Sequence, residues 1–369
     1  MRPIGALSAP CLRGKQLDTD SAKEGRAGGA NAGALTGALT PSAIVRYLDQ
    51  HVVGQDAAKK TLAVAVYSHC RKPATADGVE IAKSNILLIG PTGTGKTLLC
   101  ETLSRALDVP FVTADATSLA QSKYVNEEIE AILLRLLDKA GGDIARAQKG
   151  IVFIDEIDKL KAVEGQPRAT SGESVQHALL KIMEGAPVKL GGGRYIDTSD
   201  ILFICGGAFV GLEKITASSH TFGFISTGQS ENQKILDRLN ARIKPTDLFE
   251  FGLIPEFAGR LPIVASFEKL TREMLVRIMV VPKNSIYRQF RERLKSEGVE
   301  LRIEPPVFEQ IAELAFEYKV GARSLRGIFE EMITPVLYAV PDRPEVRRVV
   351  IRSLFEEAVF VVDADQAGA

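Results

Sequence analysis

Asn85-Ile86-Leu87-Leu88-Ile89-Gly90-Pro91-Thr92-Gly93-Thr94-Gly95-Lys96-Thr97-Leu98-Leu99-Cys100-Glu101-Thr102-Leu103 decides the fold. An apolar run leads into a glycine-rich turn and then into a helical pattern. Gly90 to Thr97 fits G-x-x-x-x-G-K-[ST], and strand, turn and helix are the context that motif requires. The glycines let backbone N–H groups curl around phosphate oxygens, and the helix start adds a partial positive charge. Lys96 can reach the β- and γ-phosphates, and the Thr97 hydroxyl can ligate Mg²⁺. The stretch predicts a nucleoside triphosphate site.

Composition narrows what surrounds that site. A length of 369 residues predicts two or three domains, and 45% hydrophobic residues suit a globular chain. Lys+Arg and Asp+Glu are both 46, so no global charge favours nucleic acid or an anionic membrane. Cys11, Cys70, Cys100 and Cys205 are too scattered for a zinc knuckle or a disulfide framework. Cys100 shares a helical face with Leu103 and Leu107 and reads as a small buried hydrophobe. His69 beside Cys70 reads as a surface or packing pair. No apolar run reaches membrane-span length, and Met1–Leu7 does not read as a signal peptide. The expected location is cytoplasmic.

Outward from the loop, short apolar runs alternate with helical stretches. The runs are Ile86–Ile89, Val109–Val112, Ile151–Ile154, Ile201–Cys205 and Ile263–Phe267, which predict a buried, mostly parallel sheet in an α/β fold. Residues 1–39 read as a disordered tail. Thr40-Pro41 reads as a helix start, leading into a helix over Ser42–His51. Met274, Leu275, Ile278 and Met279, like Phe308, Ile311, Leu314 and Ala315, recur at helical spacing. Val349–Ile351 and Val359–Val362 read as late strands. The expected layout is a large domain over 40–267, a smaller and mainly helical domain over 268–362, and a disordered tail over 363–369.

Ile151-Val152-Phe153-Ile154-Asp155-Glu156 is the second nucleotide signal. The apolar residues drive a buried strand, and the two carboxylates emerge at its C-terminal end, where α/β sheets place ligands. Asp155 would hold Mg²⁺, and Glu156 would polarise an attacking water.

These stretches belong to a longer ordered set. Val53-Gly54-Gln55-Asp56-Ala57-Ala58-Lys59-Lys60 precedes the loop. Ile154-Asp155-Glu156-Ile157-Asp158-Lys159, Ile201-Leu202-Phe203-Ile204-Cys205-Gly206-Gly207-Ala208-Phe209 and Gly252-Leu253-Ile254-Pro255-Glu256-Phe257-Ala258-Gly259-Arg260-Leu261-Pro262 follow it. Pro282-Lys283-Asn284 and Gly321-Ala322-Arg323-Ser324-Leu325-Arg326 complete the set. From about residue 40 to 355 the chain resembles the ClpX family, the AAA+ unfoldases that feed the ClpP peptidase. The resemblance implies an AAA+ large domain followed by a small helical domain, with ATP and Mg²⁺ bound between subunits of a ring, normally a homo-hexamer. It implies nucleotide contacts from Val53, Gln55, Gly90, Pro91, Thr92, Gly93, Thr94, Gly95, Lys96, Thr97, Leu98 and Arg323. It gives Arg260 the role of an arginine finger reaching the neighbouring subunit's γ-phosphate, against an ordinary surface salt bridge as the alternative. Arg323 matches the sensor-2 arginine. Cys205-Gly206 ends the strand where related ATPases often carry a polar sensor.

The substrate-handling segments depart from the family. Lys123-Tyr124-Val125-Asn126 stands where the family has Gly-Tyr-Val-Gly. Tyr124 and Val125 would then grip a threaded chain, while a plain loop-anchoring tyrosine remains the alternative. Arg168, within Gln166–Ser171, matches a second pore loop. Pro187–Ile196 is short for an entrance loop and lacks its Arg-Lys-His motif. Phe222-Gly223-Phe224 replaces an aliphatic-Gly-Phe tripeptide that docks the peptidase, with local burial of both aromatics as the alternative. The family's N-terminal zinc domain is not recognisable, since Cys11 alone cannot supply it.

The expected function is ATP-dependent unfolding and translocation of protein substrates, with a ClpP-type peptidase as partner. The alternatives are a regulatory paralogue that co-assembles with another ClpX and a remodeller acting without a peptidase. A nucleic-acid motor would need basic strand-binding features that the sequence lacks.

Overall fold

A computed structural model describes residues 39–70, 83–122, 124–161, 172–219, 243–318 and 321–362. The strands, in chain order, are β1 Ile86–Ile89, β2 Phe111–Asp115, β3 Ile151–Asp155, β4 Pro187–Lys189, β5 Tyr195–Asp197, β6 Leu202–Gly207, β7 Ile263–Ser266, β8 Glu300–Ile303, β9 Val346–Ile351 and β10 Val359–Val362. Helices α1 to α8 are Pro41–Asp49, Asp56–Cys70, Lys96–Leu107, Ala116–Gln121, Val125–Lys139, Ile144–Ala147, Gly172–Glu184 and Leu212–Ser219. Helices α9 to α14 are Pro245–Phe251, Pro255–Gly259, Arg272–Val280, Ile286–Ser296, Pro305–Glu317 and Arg323–Ala339.

The chain divides into two compact units. The first comprises the described residues before Leu48, those of Ala57–Leu88, and those of Cys100–Ala265. Its core is the sheet β2-β3-β6-β1-β7, parallel and flanked by helices. β2 pairs with β3 from Phe111↔Ile151 to Asp115↔Asp155, and β3 pairs with β6 from Ile151↔Leu202 to Ile154↔Cys205. The central strands are apolar because both faces are covered. β1 and β6 are buried throughout, whereas β2, at the edge of the order, alternates buried with more exposed positions. α5 presents Ile129, Ile132, Leu133, Leu136 and Leu137 inward at helical spacing. α7 does the same with Val175, Leu179, Ile182 and Met183.

Two expected boundaries move for local reasons. β2 begins at Phe111, not Val109, because Pro110 has no N–H to give to a ladder, although its carbonyl accepts from Ile151 N at 2.9 Å. Pro187–Ile196, expected as a loop, is an antiparallel hairpin pairing Val188 with Ile196, whose side chain is fully buried.

The second unit comprises Leu48–Asp56, Ile89–Leu99 and the described residues from Ser266 onward. It therefore takes the phosphate-loop segment together with the C-terminal part of the chain. Leu275, Met279, Phe290, Leu294, Ile311, Leu325, Phe329 and Ile333 build its core, with the Phe290 and Phe329 rings stacked at 5.2 Å. Thr271 and Ser285 cap α11 and α12 by accepting from Met274 N and Arg288 N. A three-stranded sheet, β10-β9-β8, covers this core. β9 and β10 realise the two late runs. The sequence reading missed β8 because its four residues alternate exposed and buried and give no apolar run.

Candidate nucleotide site

Within the second unit the phosphate loop is tied to the segments around it. A Cβ on Gly90 would stand 2.6 Å from Phe267 Cβ and 2.7 Å from its carbonyl oxygen, so only glycine permits this approach. Phe267 N donates to the Ile89 carbonyl at 2.7 Å. The turn is held from inside: Thr94 Oγ1 donates to Pro91 O at 2.8 Å, and Lys96 Nζ to Gly90 O at 2.6 Å and Pro91 O at 3.1 Å. Gly93 and Gly95 have φ of +78° and +95°, and the space a Gly95 side chain would fill is open. Thr97 is half-buried and Leu98 exposed at the start of α3.

Two other candidate segments meet this loop. Ala322 N donates to Gly93 O at 3.2 Å, and a Cβ on Gly321, whose φ is +67°, would stand 2.9 Å from Thr92 O. Arg323 is the next residue and opens α14 with an exposed side chain. Val53 is buried. Gln55 bridges the Glu268 backbone, its Nε2 donating to Glu268 O at 2.9 Å and its Oε1 accepting from Glu268 N at 2.8 Å. The side-chain amide is thus engaged in pinning the Glu268 backbone.

In the first unit, β3 carries its carboxylates out of a buried strand. Asp155 Oδ1 accepts from Glu156 N at 2.9 Å. Glu156 adopts φ +58°, a left-handed conformation costly for a non-glycine residue, and such strain concentrates at functional sites. Thr117 Oγ1 donates to Glu156 Oε2 at 3.0 Å. Thr117 is itself held by Asp115, which caps α4 by accepting from Thr117 N at 2.7 Å. Sequence reading missed Thr117, because a hydroxyl beyond a strand end has no signature until β2 is registered beside β3.

The exit of β6 explains the absent polar sensor. A Cβ on Gly206 would lie 2.7 Å from the Phe153 ring and 3.3 Å from Asp155 Oδ1, so this position admits no side chain. Asp158, 5% exposed, accepts from Ala208 N and Phe209 N and locks the turn that follows. Cys100 and Cys205 are fully buried. Burial pushes the Cys205 thiol up to about 12, and burial with the Asp155 charge pushes Cys100 up as well. Both are inert packing thiols, as expected of Cys100.

Each unit carries chemistry of its own that suits a nucleotide and Mg²⁺: in the first, Asp155 and Glu156 offer hard oxygens, and in the second, Thr97 offers a hydroxyl beside an open glycine turn at a helix start. Among the described residues no cluster of three or more His, Cys, Asp or Glu could hold a metal ion.

Arg260 terminates α10 and lies in the first unit. Its Nη2 pairs with Glu184 Oε1 at 2.6 Å, and the two side chains are 53% and 41% exposed. Tyr124 is 65% exposed just before α5, its N donating to Ser122 Oγ at 3.2 Å. Val125 is already the first helical residue, and the short α4 follows β2, so Tyr124 stands between two helices. Arg168, Phe222, Gly223 and Phe224 lie outside the described residues.

Comparisons with known proteins agree with this architecture. Residues 81–264 match the family described as AAA domain (Cdc48 subfamily). Residues 270–349 match the C-terminal, D2-small domain of ClpB protein. The ATP-dependent Clp protease ATP-binding subunit ClpX of Treponema denticola is 45% identical over 322 residues, covering 82% of this chain and 78% of that protein. No described helix is long and apolar enough to cross a membrane. At that identity and coverage, with an AAA domain followed by a small C-terminal domain, the chain belongs to the ClpX family of AAA+ ATPases.

Proposed function

We propose that this chain is an ATP-driven protein unfoldase working as a cytoplasmic homo-hexameric ring that threads substrates to a ClpP-type peptidase. The observation that carries the reading is the end of β3, where a strained Glu156 is held by Thr117 beside Asp155 on a buried parallel strand. Gly90–Leu98 would bind the triphosphate, Lys96 would neutralise its charge, and Thr97 with Asp155 would hold Mg²⁺, which supplies electrostatic stabilisation when bound. Glu156 would take the proton of the attacking water. Val53 and Gln55 would wall the base. Arg323 would report the nucleotide to α14, and Arg260 would serve the site of a neighbouring subunit.

Tyr124 and Val125 would grip substrate, with Arg168 below them. Phe222-Gly223-Phe224 would dock the peptidase. The similarity to a subunit named for a Clp protease supports that destination.

The test is degradation of a tagged model substrate by the purified chain with ATP, with and without added ClpP. Degradation only with both ATP and ClpP is expected, and Glu156→Gln should bind ATP without turnover. Unfolding without degradation would favour a remodeller acting without a peptidase. An isolated chain that hydrolyses no ATP would overturn the reading and favour a subunit active only beside another ClpX.

A further inference from the structure

Arg260 is fastened at two points, its backbone by Asn85 and its side chain by Glu184. Asn85, 2% exposed at the entry to β1, spends both amide hydrogens on carbonyls: Nδ2 donates to Arg260 O at 3.2 Å and to Met183 O at 3.2 Å. Met183 precedes Glu184, whose carboxylate holds the Arg260 guanidinium at 2.6 Å. Thus Asn85 joins the backbone of Arg260 to the end of α7, and Glu184 joins the side chain to the same end. Farther along α7, the fully buried Gln176 accepts from Ile254 N at 2.8 Å and donates to Leu160 O at 2.8 Å, tying the segment that leads into Arg260 to the same helix.

An exposed ion pair by itself contributes little stability. This one is better read as orientation. Glu184 engages one guanidinium nitrogen, leaving Nε and Nη1 as donors for a planar or tetrahedral oxyanion. A long side chain that would otherwise sample many rotamers is confined while its donating edge stays open, which is how positioning lowers a barrier. Its backbone is confined too, because the Asn85 amide hydrogens are spent on the Arg260 and Met183 carbonyls.

We propose that Glu184, backed by Asn85, is a positioning residue for Arg260, presetting the guanidinium for the phosphate of a neighbouring subunit. The inference rests on the reading of Arg260 as a finger, and the experiment separates the two. Steady-state ATP hydrolysis of the assembled full chain is compared for wild type, Glu184→Ala, Glu184→Gln, Arg260→Ala, Arg260→Lys and the Glu184→Ala/Arg260→Lys double variant. Glu184→Ala should lower kcat roughly tenfold with KM changed less than about twofold, because only the orientation reached at the transition state is lost. Glu184→Gln, which keeps an acceptor, should recover most of that loss. In the Arg260→Lys background Glu184→Ala should cost less than about twofold, since a residue acting through Arg260 has nothing left to position. Both positions are exposed, so melting temperatures should stay near wild type. Unchanged kcat in Glu184→Ala, or an equal loss in both backgrounds, overturns the positioning role while leaving the finger intact. Unchanged kcat in Arg260→Ala overturns the finger reading itself.

Discussion

The end of β3 and the start of α5 are both candidate working surfaces, and they are built differently. Glu156 leaves a buried strand in a strained conformation, with a hydroxyl on its carboxylate and its own N–H returned to Asp155. Tyr124 stands 65% exposed and is anchored through its backbone, its N donating to Ser122 Oγ and its O accepting from Glu127 N and Glu128 N. Chemistry on a phosphate needs atoms fixed to a fraction of an ångström, so each polar group there is tethered by another. Grip on chains of varied sequence needs an accessible ring and no fixed partner, so tethering Tyr124 would defeat it.

That contrast breaks most sharply at Arg260. Arg260→Ala should lower kcat for ATP on the order of 10³-fold, about 4 kcal/mol, measured as phosphate release at saturating ATP. A smaller loss than that from Tyr124→Ala would mean that fixed geometry is not what the nucleotide side depends on. Tyr124→Ala should reduce unfolding of a stable tagged substrate on the order of tenfold more than it reduces ATP turnover, read by loss of substrate fluorescence. Equal reductions would place Tyr124 on the nucleotide side of the comparison.

Legibility in the sequence followed the same divide. Residues whose role lies in a contiguous pattern were readable: Gly90–Thr97 sits on a strand-turn-helix, and Ile151–Asp155 is a buried strand ending in carboxylates. So were β6, β7, β9 and β10, within a few residues, because their apolar runs are continuous. Residues whose role comes from strand register were not. Thr117 meets Glu156 only once β2 lies beside β3, and Asn85 meets Arg260 across 175 positions of chain. β8 and the β4–β5 hairpin were lost because four- and three-residue strands carry too little periodicity.

The tethers themselves supply the smaller tests. Gly321→Ala places a Cβ 2.9 Å from Thr92 O at φ +67°, so it should cost about 1–2 kcal/mol and weaken ATP binding through the Gly93–Ala322 bond, read by nucleotide titration and denaturant unfolding. Thr117→Val keeps the shape and removes one hydroxyl from the Glu156 carboxylate. A hydrogen bond to a charged group contributes roughly 1.5 kcal/mol, so kcat should shift by about tenfold or less, with KM for ATP little moved. The sign separates two uses of the bond. If Thr117 aims Glu156 at water, kcat falls. If it holds Glu156 back until the neighbour's nucleotide is sensed, basal kcat rises and stimulation by substrate shrinks. The strained φ of Glu156 favours the first outcome, because strain is retained where the surrounding contacts hold a group in its working position.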